Sequence, residues 1–126
     1  MPKGTTLYVD QDTPKLEAIV VEGGTIVFAD EGPLIVKTGF ITLSGGTFIA
    51  GTEQHPHQNQ LTFELYGGYY GKQQPMFGNK GIGCRDCRFS MYGKPRVKTW
   101  SLLETTVNVG DDQLTLTEDV DWQIGE

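Results

Sequence analysis

Ser44-Gly45-Gly46-Thr47-Phe48-Ile49-Ala50-Gly51-Thr52-Glu53 is the stretch on which the reading of this chain turns. Two glycines make a corner, Thr47 to Ala50 make a short strand, and Gly51 ends it. Glycine at a corner supplies a positive φ or lets two backbones approach closely. Branched and aromatic residues between such corners favour a pleated strand. A polar loop carrying His55-Pro56-His57 follows.

The same grammar extends outward in both directions. Before the central stretch, Leu7–Val9, Lys15–Val21 and Thr25–Phe28 read as strands, punctuated by Glu22-Gly23-Gly24 and Asp30-Glu31-Gly32-Pro33. Leu34–Val36 and Phe40–Leu43 read as two strands joined by Lys37-Thr38-Gly39. After it, Leu61–Leu65 alternates cleanly, and Arg88–Tyr92, Lys98–Leu103 and Leu114–Leu116 are the remaining strands. Between them lie a glycine–tyrosine loop from Tyr66 to Pro75 and a glycine-rich lead, Phe77 to Gly83, into Cys84-Arg85-Asp86-Cys87. No window carries the i, i+3, i+4, i+7 stripe of an amphipathic helix.

The chain is therefore all-β, with short strands and turn signals at close intervals. Two architectures suit that cadence: a β-sandwich, or a parallel β-helix in which three strands and three corners make each coil. Ile19, Val20, Ile26, Phe28, Ile35, Ile41, Leu43, Phe48 and Leu61 are the expected core. Trp100 and Trp122 fall in strand contexts and are assigned to it as well.

With 126 residues, the chain is read as one domain, residues 1–126, large enough for a genuine core. Hydrophobic residues at 37% and aromatics at 10% are too many for a disordered chain. No apolar run is long enough to cross a bilayer, and Met1-Pro2-Lys3-Gly4 lacks the apolar centre of a signal peptide. An intracellular protein, or a piece excised from a larger one, is what the ends suggest. The net charge of −6 is unevenly spread. Lys80, Arg85, Arg88, Lys94, Arg96 and Lys98 face only Asp86 between residues 80 and 98, whereas residues 99–126 hold acids and no base. Such neighbours either neutralise one another or offer complementary surfaces to a partner.

Across nearly the whole length the glycines and their companions resemble the eight-glycine domain. The matching positions are Pro2 and Gly4, Gly23 and Gly24, then Gly45-Gly46 followed by Gly51-Thr52-Glu53 and Pro56. They continue through Leu65-Tyr66-Gly67, Phe77-Gly78-Asn79-Lys80, Met91-Tyr92-Gly93-Lys94-Pro95, Thr99-Trp100, Leu103, Gly110, Val120-Asp121-Trp122 and Gly125. This is the module of fibrocystin, fibrocystin-like proteins and hyaluronan-degrading proteins of the cell surface and secretions. The resemblance implies an extracellular β-rich module, usually followed in larger proteins by parallel β-helix repeats; the fold expected for this chain is a right-handed parallel β-helix-like module, with a β-sandwich as the alternative. It carries no active site onto this chain, because the residues tied to hyaluronan cleavage lie largely outside the module. Glu126 stands where an aspartate often precedes another strand, so the chain is expected to stop one coil short.

The chemistry-bearing residues are few. Cys84 and Cys87 leave three readings open: a tight disulfide, which suits the oxidising compartment the resemblance implies, free thiols, or metal or redox chemistry. A redox pair would want a helix N-terminus, and a zinc site two further ligands. His55 and His57 are the only histidines, and they are expected on a surface loop without a catalytic task. Asp119 and Asp121 are two apart on an expected strand; a cation site and a solvated face explain them equally. No catalytic residue, metal or cofactor is assigned, and neither nucleic-acid binding nor membrane insertion is expected.

The ligand-binding candidates are Tyr66, Tyr69 and Tyr70, whose flat rings between glycines suit stacking on sugars or a protein, with Lys80, Arg85, Arg88, Lys94 and Arg96. Packing of those tyrosines onto their own domain is the competing account. The expected function is a non-catalytic extracellular binding or scaffold module for an acidic polysaccharide or a protein partner. The alternatives are a homo-oligomeric or filament-forming structural subunit, and part of a hyaluronan-degrading enzyme. For assembly, the basic segment 80–98 of one copy would meet the acidic segment 99–126 of another.

Overall fold

A computed structural model describes residues 1–68, 70–74 and 76–123. It is all-β, with eight strands and no helix among the described residues: β1 Thr6–Val9, β2 Leu16–Glu22, β3 Thr25–Phe28, β4 Leu34–Ser44, β5 Thr47–Ala50, β6 Leu61–Leu65, β7 Gly81–Arg85 and β8 Arg88–Met91. The chain divides into two compact units, Met1–Lys94 and Pro95–Glu126.

All eight strands belong to the first unit and form two sheets in which every ladder is parallel. One sheet runs β1-β3-β5-β8; in the other, β2 pairs with β4, and β4 pairs with both β6 and β7. The chain feeds the sheets in turn through β5. It then gives β4 two consecutive partners, β6 along Leu34–Thr38 and β7 along Phe40–Ser44. The glycine–tyrosine loop is the excursion between those two partners. Parallel neighbours cannot be joined by tight hairpins, which accounts for corners without hairpin chemistry.

Side chains alternate along the strands, except that the inward set of β4 changes parity between Val36 and Ile41, and the inward residues of both sheets make one core. Val9, Ile26, Phe28, Phe48 and Ala50 come from one sheet, and Val21, Leu34, Val36, Ile41 and Leu43 from the other. Phe28 and Phe48 have ring centroids 4.8 Å apart, Phe63 meets Phe28 edge-on at 5.1 Å, and Phe89 stacks on Phe48 at 4.3 Å. Sheet register carries this ladder, since Ile26, Phe48 and Phe89 occupy successive rungs.

Several expectations are corrected. Val20 and Ile35 point outward, because the inward residues of their strands are Val21, Leu34 and Val36; Ile19 and Leu61 pack at the core margin. Lys37-Thr38-Gly39 is not a corner, and β4 runs through it as one strand. β7 was hidden in what reads as a glycine-rich lead to the cysteines. Residues 98–103 and 114–116 form no strands and meet in a single antiparallel bridge, Leu103 to Leu116. Trp100 and Trp122 are exposed rather than core.

The second unit is tied by polar contacts. The Asp121 carboxylate accepts the backbone N–H groups of Val97 and Lys98 at 2.9 and 3.1 Å, and Lys98 pairs with Glu118. The Trp122 indole donates to the Lys98 carbonyl. Those two backbone bonds hold the Asp121 carboxyl below its ordinary value, even though desolvation opposes them.

Candidate functional site

The excursion between β6 and β7 builds an open groove of roughly 270 Å³ against the start of β2 and the middle of β4. Its walls include Lys15, Glu17, Tyr66, Lys72 and Asn79, with the backbones of Gly39, Gly67 and Gly71. Tyr66 is fixed by register: its N–H donates to the Thr38 carbonyl at 2.9 Å, continuing the β4–β6 ladder. Its phenol donates to Glu64, and that bond, with burial and the carboxylate charge, pushes the Tyr66 hydroxyl above its ordinary value. The Lys15 ammonium lies 4.3 Å from the centroid of the Tyr66 ring. A cation over an aromatic face is attracted by the ring quadrupole. Lys72 pairs with Glu17, and Asn79 donates to the Gly68 carbonyl.

Among the described residues Lys15 has no carboxylate partner. The groove therefore presents the Lys15 ammonium, the Lys72–Glu17 pair and the Asn79 side chain beside glycine backbone.

The predicted site residues do not gather in one place. Lys80 is exposed beside the groove, its Cβ 3.8 Å from where a Gly67 side chain would begin. Tyr70 is 96% exposed on the same excursion. Tyr69 lies outside the described residues. Arg85 and Arg88 stand at the β7–β8 corner, where Arg85 pairs with Ser44. The length of β4 from Thr38 to Ser44 separates that corner from Tyr66, roughly 20 Å at about 3.3 Å per residue. Lys94 lies beyond the far end of β8, and Arg96 belongs to the second unit. Lys15 and Lys72 were missed because 57 positions separate them in sequence, and the loop between β6 and β7 brings Lys72 back to the start of β2, where it pairs with Glu17.

Cys84 and Cys87 form a disulfide across the β7–β8 corner, with Cα atoms 5.6 Å apart. His57 is buried, against the expectation of a surface loop. Its Nδ1 lies 3.1 Å from the Asp30 carboxylate and 3.0 Å from the Asn59 carbonyl, its Nε2 3.2 Å from the Ala29 carbonyl. Its backbone N–H donates to the Tyr92 carbonyl at 2.7 Å. Burial pushes the Asp30 carboxyl up, but bonds from the Gln58 and Asn59 backbones, the Asn59 amide and His57 outweigh it and hold the carboxyl below its ordinary value. The cluster is a structural clasp between two loops. Asp119 and Asp121 form no metal-binding group, and none of three or more ligands exists among the described residues.

The fold and site define a glycine-cornered, parallel all-β module with an open groove. Residues 1–104 match the G8 domain family, so the chain belongs to that family, as the eight-glycine resemblance implied. It is similar to fibrocystin-L of Mus musculus and of Homo sapiens, 31% identical to each over 98% of this chain. It is also similar to fibrocystin of Mus musculus, 30% identical over the same share. The chain spans 3% of the length of each of these relatives. No solved structure matches it.

Proposed function

We propose that this chain is a non-catalytic extracellular module of a larger protein and that it binds an acidic glycan at the Tyr66 groove. The observation that carries this reading is the Lys15 ammonium seated on the Tyr66 ring, without a carboxylate partner among the described residues, in a groove shared with Lys72 and Asn79. A carboxylate or sulfate on the sugar takes the Lys15 ammonium, and its hydroxyls take exposed backbone groups of the groove. Tyr70 supplies an exposed ring for stacking. The first unit, Met1–Lys94, has a parallel β-helix-like build, a reading supported by two parallel sheets fed alternately by the chain. The extracellular setting and non-catalytic role rest on the G8 membership and the fibrocystin relatives.

Titration with hyaluronan or heparin oligosaccharides at low ionic strength tests this. Binding should be weak and should fall with salt, since exposed charges are screened beyond about 8 Å at physiological ionic strength. Lys15→Gln should weaken it about two- to fivefold, the range of an exposed ion pair, and flatten the salt dependence. Tyr70→Ala should weaken it without changing the salt slope. No binding of either polysaccharide at low salt would remove the glycan reading.

Self-association is the second reading, and one observation favours it. Ile82, Phe89 and Met91 occupy inward register positions on the last rung, yet they are exposed. Strand edges with apolar neighbours invite another chain. A single monomer mass in sedimentation across concentration and salt would eliminate that reading.

A further inference from the structure

We propose that the Cys84–Cys87 bridge is a thiol-exchange site, an accessible disulfide that a small dithiol opens while the first unit stays folded. Cys84 is exposed on the last rung, and Cys87 is half-buried at the core margin. The backbone on either side is held without the bridge. Gly45 donates to the Arg85 carbonyl at 3.0 Å, and Arg88 donates to the Gly46 carbonyl at 2.9 Å. β7 remains paired to β4 through Ser44 and Arg85, and β8 to β5 through Thr47 and Arg88.

The corner itself gains little from being closed. Only two residues separate the cysteines, so the loop-closure entropy removed from the unfolded chain is small. One of them, Asp86, sits at φ 49°, in the left-handed region that aspartate enters less readily than glycine.

In the first step a thiolate of the dithiol bonds to Cys84 Sγ. The Cys84–Cys87 bond breaks, and its electron pair leaves on Cys87 Sγ. The second thiolate of the reductant then attacks its own sulfur already joined to Cys84. That closes the reductant's disulfide and releases Cys84 as a thiolate. Two electrons pass from dithiol to protein, and the two protons lost by the dithiol go to the cysteines or to water.

The test treats the native chain with dithiothreitol, traps thiols with iodoacetamide, and counts them by mass spectrometry while circular dichroism follows the strands. Both cysteines should label in native buffer, at a rate first-order in dithiothreitol, with the strand signal unchanged. A rate independent of dithiothreitol and equal to that of unfolding would overturn the proposal, as would loss of the strand signal in step with labelling.

Discussion

His57 and Asp30 show how a polar pair can hold two loops of an apolar ladder. The imidazole is ringed by the Ala29 and Asn59 carbonyls and the Asp30 carboxylate, and Asp30 also takes the backbone N–H groups of Gln58 and Asn59. Because the Asp30 carboxyl is held below its ordinary value in the folded chain, it stabilises the ionised native form. That contribution is present above the unfolded carboxyl range and is lost as pH falls below about 4 through the lowered folded value. Urea midpoints measured down to pH 3 should show Asp30→Asn less stable than the parent near neutrality, with the difference shrinking in acid. Parallel curves would show that the carboxylate charge does nothing there. Glycines offer a second residue-level comparison. Gly45 and Gly51 both have positive φ, 66° and 78°, but only Gly51 is crowded, with the His57 nitrogen 2.7 Å from any added Cβ. Gly45→Ala should cost about 1–2 kcal/mol from φ alone. Gly51→Ala should cost more, and equal urea midpoints would contradict the crowding.

Among the elements, the phenylalanine ladder separates interior from end. Phe48 is 0% exposed between Phe28 and Phe89, whereas Phe89 on the last rung is 44% exposed. Phe48→Ala should cost roughly 3–5 kcal/mol, and Phe89→Ala clearly less, because part of its surface already meets water. Equal losses in a denaturant titration would mean that the last rung is covered. The central strand was legible because Thr47–Ala50 is bounded by glycines and its Phe48 is inward, as the pattern required. Inward and outward sides were not legible in Leu16–Glu22 and Leu34–Ser44, where apolar residues sit on both faces and periodicity gives no sign. β7 escaped notice because Gly81-Ile82-Gly83-Cys84-Arg85 has low strand propensity and is a strand through its pairing to β4. The site was half legible. Tyr66 announced itself beside glycines, but its companions Lys15 and Lys72 come together through the loop between β6 and β7.

For the whole molecule, the local charge blocks say less than the folded positions do. The basic run from Lys80 to Lys98 is one segment in sequence, yet it is distributed between the groove, the disulfide corner and the second unit. The groove cations Lys15 and Lys72 lie outside that run. The most direct measurement is a ¹⁵N chemical-shift titration of the full chain with hyaluronan or heparin oligosaccharides at low salt. The account predicts that the largest perturbations fall together on Lys15, Tyr66, Gly67, Lys72 and Asn79, and are lost in Lys15→Gln. Perturbations confined to Arg85, Arg88 and Lys94, with the groove silent, would contradict it.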